Sequence, residues 1–349
     1  MTPLAIDATP AAARAAGWPR ATDSERLLDV DVATRRFRDV AITELPSLFE
    51  PGDLVVVNDA ATLPASLFAE SPDGERLEVR LLGENVDRAT FDALLFGPGD
   101  WRTPTERRPL PPRLVPGATL RFAADLCAEV LAIDAERFVE LRFAGDRDAF
   151  WPALYRHGKP IQYSHVSGPL ELWQVQTRFA ARPWASELPS AGRPLSWESL
   201  LALRRRGVGL AGVTHAAGLS STGSSELDRR LPRAERYEIP EATCAAIERT
   251  QAAGGCVIAV GTTVVRALEA SAASARGLAP GPGVAELRIG PGFRPRVADG
   301  VLTGLHEPGT SHFSLLEAFA PRSLLERAYR HSLRAGYLHH EFGDSWLVC

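Results

Sequence analysis

Between Glu75 and Ala144 the chain carries five short runs of β character at close spacing, ERLEVRLL, ATFDALLF, ATLRFA, AEVLAI and RFVELRFA, with no helical period among them. Turn-rich pieces part them, including GPGDW and the proline cluster between Pro109 and Pro116. Short strands without helices between them predict a small β-barrel.

The flanking sequence has a different grammar. LLDVD and DLVVVND are β-branched runs closed by polar breakers, and Pro51-Gly52 supplies the turn that enters the second. After about Phe150 helices return. Ser196 opens SWESLLALRRR, Gly207 closes it, and VGLAGVT follows as a buried strand. Pro240 starts PEATCAAIERTQAA, Gly254-Gly255 stops it, and CVIAV is the next buried strand. Helix, strand, helix in this order predicts a layered α/β domain with parallel strands. The fold class expected is therefore α/β, with a layered domain built from residues 1–63 and 151–349 and a barrel domain, 64–150, inserted into it. At 349 residues the chain is long enough for two moderate domains. Gly168 to Pro194, rich in Pro, Trp and Arg, reads as a linker.

Charge and cysteine usage narrow the partners. A net charge of −4 gives no global attraction to nucleic acid or anionic membrane and leaves only local basic patches, such as Arg229, Arg230 and Arg233. Cys127, Cys244, Cys256 and Cys349 stand far apart without a Cys-x-x-Cys pair, which signals neither a zinc site nor a disulfide framework and fits a reducing compartment. Asp7, Pro10 and Arg14 interrupt the stretch where a secretory peptide needs an apolar run, and no segment has the length and apolarity of a membrane span. A cytoplasmic protein without a membrane partner is expected; nothing in the sequence sets an oligomeric state.

Candidate chemistry centres on VIAVGTTVVRALEA, which runs an apolar strand into a helix through Gly261, Thr262 and Thr263 with no phosphate-loop lysine and no second glycine. This turn lies past the carboxyl end of a strand, where open α/β sheets bind ligands. Helix-terminal N–H groups and two hydroxyls suit a carboxylate or other anion; a threonine N-cap is the structural alternative. Arg266, one turn on, suits a carboxylate clamp or a solvent-facing position.

Histidines gather late in the chain, at His306, His312, His331, His339 and His340. His306-Glu307 starts like a zincin helix, but Pro308 follows and the next histidine is six residues away instead of one turn. His339 and His340 are expected on opposite sides of a strand. No metal is expected. Gly281-Pro282-Gly283 and Gly290-Pro291-Gly292 suit turns more than phosphate cradles, and GLSSTGSSE from Gly218 reads as a connector.

A set of motifs in fixed order adds a resemblance: SERLL at Ser24, GDLVVVND at Gly52, PSAG at Pro189, RYEIP at Arg236, VIAVGTTVVRALE at Val257, PGF then LTGLHEPGTS from Pro291, and FGD at Phe342. In these the chain resembles the S-adenosylmethionine:tRNA ribosyltransferase-isomerase (QueA) family of queuosine biosynthesis. The resemblance implies an α/β domain interrupted by a closed β-barrel. It also implies S-adenosylmethionine as donor of a ribosyl group, without a metal. A base removes a proton from the ribose methylene beside the sulfonium, adenine leaves, the amine of an aminomethyl-deazaguanine on tRNA attacks, and methionine departs. On that reading His306 and Glu235 are the proton-moving candidates, while Gly261, Thr262, Thr263, Arg266, Ser190 and Gly192 would hold the donor.

Several polar positions depart from the family pattern. Pro194 follows PSAG-Arg193 where the family has a histidine, Ala216-Ala217 follow His215, Arg233-Ala234 precede Glu235, and Ala60-Ala61 replace an arginine after the Asn58-Asp59 turn. Proline cannot donate and alanine cannot hydrogen-bond through its side chain. Three readings stay open on the residues: the family reaction on tRNA, a paralogue using S-adenosylmethionine on a small-molecule acceptor, and a non-catalytic ligand- or RNA-binding protein. Retained donor binding with weak action on tRNA is the expectation these departures carry.

Overall fold

The computed structural model describes residues 13–85, 90–135, 137–219, 221–229 and 233–349, so Asp7, Pro10, Ser220 and Arg230 lie outside the described residues. DLVVVND becomes strand Leu54–Asn58, buried along its whole length. Alternation explains why all four of its apolar residues are hydrophobic. Leu54 and Val56 face one core together with Val257, Ala259, Val264 and Leu268. Val55 and Val57 face the other, with Ile258, Val260, Leu200 and Leu203. A strand covered by helices on both faces has no solvent side to make polar, and each such side chain contributes about 1.5–3 kcal/mol by leaving water.

Among the described residues this strand belongs to a nine-stranded sheet in the order Gly281–Ala285, Glu235–Ile239, Gly209–His215, Leu54–Asn58, Val257–Val260, Gly300–Gly304, Ser345–Val348, Arg26–Asp31, Arg36–Ala41. The four from Gly209–His215 to Gly300–Gly304 run parallel, and their carboxyl ends share one edge. Glu235–Ile239 is antiparallel to Gly209–His215, which places its amino end, Glu235, at that same edge. Helix Trp197–Arg205 has Ser196 as its cap, with the hydroxyl accepting from Ser199 N, and Gly207 beyond its end takes the left-handed φ of 82°. Pro240 is the cap of Glu241–Ala252, just outside its first turn.

The strand-only block closes into a barrel in the order Leu126–Ile133, Phe138–Phe143, Thr90–Phe96, Arg76–Asn85, Ser66–Glu70, Thr119–Ala123, so the chain is α/β with a closed barrel inserted in it. Six strands close it where five were expected. Ser66–Glu70 had been hidden by its brevity and by Pro64 two residues before it. A helix also belongs to this part. Arg147–His157 starts at Asp146, whose carboxylate accepts from Ala149 N, and it buries Phe150, Ala153 and Leu154 in the barrel core. Pro152 inside that helix disguises it in sequence.

The outgoing and returning chains pair with each other. Ala60–Thr62 lies parallel to Arg182–Ala185, so the stretch read as a linker contains an ordered strand, followed by the Ser190–Gly192 turn. No helix among the described residues is long and apolar enough to cross a membrane.

Candidate active site at the Gly261 turn

Gly261 ends strand Val257–Val260 with φ 94° and ψ 154°, and helix Thr262–Ala273 begins at the next residue. The glycine itself occupies the cap, and no side chain caps the helix, so neither threonine is an N-cap. A Cβ on Gly261 would sit 3.2 Å from the Ala191 Cβ. Thus PSAG packs on the GTT turn. Gly192 is fixed sterically as well, because a Cβ there would come within 2.7 Å of Phe179 Cζ. Gly261→Ala is expected to cost about 1–3 kcal/mol, since this φ/ψ region is essentially glycine-only, and to weaken ligand binding. An unchanged melting temperature would show that the turn relaxes without strain.

Arg266 holds a carboxylate, and that carboxylate is Glu235. Its Nη1 donates to Glu235 Oε2 at 2.8 Å, and its Nη2 donates to the carbonyls of Ala285 at 2.8 Å and Arg233 at 3.3 Å. The guanidinium is buried, so the solvent-facing alternative fails. Most of its donors are committed within the protein; among the described residues Nε has no partner. Glu235 also accepts from Gly218 N at 2.7 Å. Burial raises the Glu235 pKa, against the opposing pull of Arg266 and Gly218.

His215 lies against this pair, its Nε2 3.6 Å from Glu235 Oε2. It is fully buried, and neither ring nitrogen has a hydrogen-bond partner among the described residues. Burial and then the Arg266 charge depress its pKa to about 3, so it is neutral. Asn58 fixes its backbone from the neighbouring strand: Oδ1 accepts from His215 N at 2.9 Å, and Nδ2 donates to His215 O at 3.0 Å. The same Nδ2 approaches Thr263 Oγ1 at 3.4 Å, joining the GDLVVVND and GTT motifs.

His306 follows the last parallel strand, Gly300–Gly304, by two residues and so rises from the same edge. Its Nε2 meets Thr303 Oγ1 at 2.8 Å, and its ring stacks on His312 with centroids 4.8 Å apart. Burial holds His306 well below the ordinary histidine pKa, with His312 and His339 lowering it further. His312 is pushed down to about 4 by burial and by the charge of Arg266, which ties the histidine pair electrically to the Glu235 side.

Sequence reasoning brought Glu235, Arg266, His306 and the Gly261 turn to this edge but missed His215, Asn58 and His312 as participants. The available signal was positional: Asn58 and His215 close adjacent parallel strands beside Gly261, the usual ligand edge of such sheets. His339 is buried, with a backbone hydrogen bond to Leu305 and Nε2 unpartnered among the described residues. Arg233, read as part of a basic patch, pairs with Asp134 at 3.6 Å.

The family model described as "Queuosine biosynthesis protein" matches residues 8–348. The chain is 40% identical over 332 residues to the S-adenosylmethionine:tRNA ribosyltransferase-isomerase of Gloeobacter violaceus, covering 93% of this chain and 89% of the relative. It is 33% identical over 321 residues to the enzyme of that name from Thermus thermophilus, covering 91% and 88%. Its fold is similar to the crystal structure of S-adenosylmethionine tRNA ribosyltransferase from Thermotoga maritima, with a TM-score of 0.52, 23% identity and 96% of each chain covered. With the barrel, the parallel-strand edge and the match over nearly its whole length, the chain belongs to the queuosine biosynthesis protein family.

Proposed function

We propose that this protein transfers and isomerises the ribosyl group of S-adenosylmethionine onto a 7-deazaguanine-type base carried by tRNA. The observation that carries this reading is 40% identity over 93% of the chain to an enzyme of that name, with the polar groups of the site gathered at one sheet edge. The departures at Pro194 and Ala216 weigh less once His215 is seen beside Glu235, because the polar centre is fuller than the motif comparison suggested.

On this reading the Gly261 turn, Thr262, Thr263, Ser190 and Gly192 hold the donor through helix-terminal N–H groups and hydroxyls. Arg266 acts through Glu235 by holding its carboxylate in place. His306 takes the proton from the ribose methylene beside the sulfonium. A neutral imidazole at working pH is the competent form for that step, and the environment of His306 keeps it neutral. The leaving adenine and methionine balance the ribosyl group gained by the base.

Two measurements check this. Incubation with S-adenosylmethionine and precursor tRNA should release adenine and methionine together, followed by mass spectrometry, and release should depend on the tRNA. Adenine release that ignores tRNA would support a small-molecule acceptor, and no release would favour a binding protein. In the pH–rate profile, the acid limb assigned to His306 should fall below the ordinary histidine value, because protonation of a group with a lowered pKa removes the base only at lower pH. An acid limb at or above that value would assign the base elsewhere.

A further inference from the structure

Two imidazoles and a carboxylate meet at a second place in the molecule. His165 Nε2 lies 2.7 Å from Glu341 Oε2, and the His340 ring stacks on His165 with centroids 4.4 Å apart and planes at 22°. One donor atom from each of the three lies within 4.8 Å of the others. Spacing alone had set His339 and His340 on opposite sides of a strand. The strand instead ends at His339, and His340 takes a left-handed φ of 69°, which carries its ring over His165.

We propose that His165, His340 and Glu341 bind a divalent transition metal of the zinc class, tying the segment that follows the barrel to the C-terminal turn. Two neutral imidazoles and one carboxylate form a donor set suited to Zn²⁺, Co²⁺ or Ni²⁺, with further positions open to water. The metal takes the position now bridged by the His165–Glu341 hydrogen bond, with His165 binding through Nε2 as the tautomer that keeps its proton on Nδ1. Tetrahedral zinc, with bonds of about 2.0–2.2 Å, needs donors roughly 3.3 Å apart, so the His165–Glu341 pair opens slightly from 2.7 Å while the His340 ring closes on it. That movement falls on His340, whose exposed side chain turns without disturbing the core. His165 is supported from behind by the parallel ring of Tyr163, 6.3 Å away, and the Tyr163 hydroxyl donates to Glu187.

The test uses the full chain, untagged and stripped with chelator, titrated with Zn²⁺ by calorimetry and with Co²⁺ by visible absorption. One ion per chain is expected. His340→Asn, which tolerates the left-handed backbone, should weaken binding at least about tenfold, and Glu341→Gln should do the same. Absence of binding in the wild-type chain would overturn the proposal. So would unchanged affinity in both variants, which would move the ion to another pair such as His157 and Asp125, 2.7 Å apart.

Discussion

His306→Ala is expected to lower turnover by about 10²–10⁴, the usual contribution of a positioned proton-transfer group, while the melting temperature stays close to that of the parent chain. The two halves of this expectation have separate causes. His306 is half-buried and its side-chain polar contact among the described residues is one hydroxyl, Thr303 Oγ1, so its removal leaves little unpaired. Its ring, however, rises from the carboxyl edge that also holds Gly261, Glu235 and His215. Turnover and thermal unfolding measured on the same preparation separate the roles. A large loss of stability with unaltered turnover would make His306 a packing residue.

The largest expected stability loss lies in the barrel, at Glu78. This carboxylate, 2% exposed, accepts from Arg80 Nε at 2.7 Å and also pairs with Arg108, while Ser66 Oγ donates to it at 2.8 Å. Arg80, Arg108 and Arg137 all lie over the Phe96 ring, at 4.7, 5.1 and 5.0 Å. Among the described residues Glu78 is the carboxylate paired with both Arg80 and Arg108, so removing its charge leaves buried guanidinium charge uncompensated. Glu78→Gln should therefore cost about 3–5 kcal/mol, read as a fall in the urea midpoint.

Glu326→Gln, which breaks the exposed Arg322 pair on helix Arg322–Arg334, should leave that midpoint unchanged. Burial raises the Glu78 pKa, but Arg80 and Arg108 outweigh it and hold the group below its ordinary value. The stability it contributes is thus present above the unfolded carboxylate pKa and is lost as pH falls through the lowered one. Glu78→Gln should flatten that acid dependence. Equal midpoints for the two variants would mean that the buried pair is worth no more than the surface one.

What the sequence made legible follows from locality. DLVVVND, SWESLLALRRR and CVIAV carry their own breakers and periods within a dozen residues, and each folds as its pattern predicts. Ser66–Glu70 and Arg147–His157 were illegible because Pro64 and Pro152 read as punctuation, whereas packing on the barrel core overrides it. At the site, Arg266 was visible as a carboxylate clamp, but its partner lies 31 residues earlier in the chain and belongs to the protein. His215 was discounted by comparison with a motif; only the pairing of Gly209–His215 with Leu54–Asn58 puts it beside Asn58. His340 escaped because a single left-handed residue breaks strand alternation.

Ribosyl transfer begun by proton removal is the central claim, and labelled donor tests it most directly. S-adenosylmethionine carrying deuterium at both positions of the ribose methylene beside sulfur is incubated with the protein and precursor tRNA, and the modified nucleoside is weighed by mass spectrometry. The account predicts a ribosyl-derived addition that has lost one deuterium to water, with one adenine and one methionine released per base modified. Transfer of a methyl group, or a ribosyl-derived product that keeps both deuteriums, would contradict it.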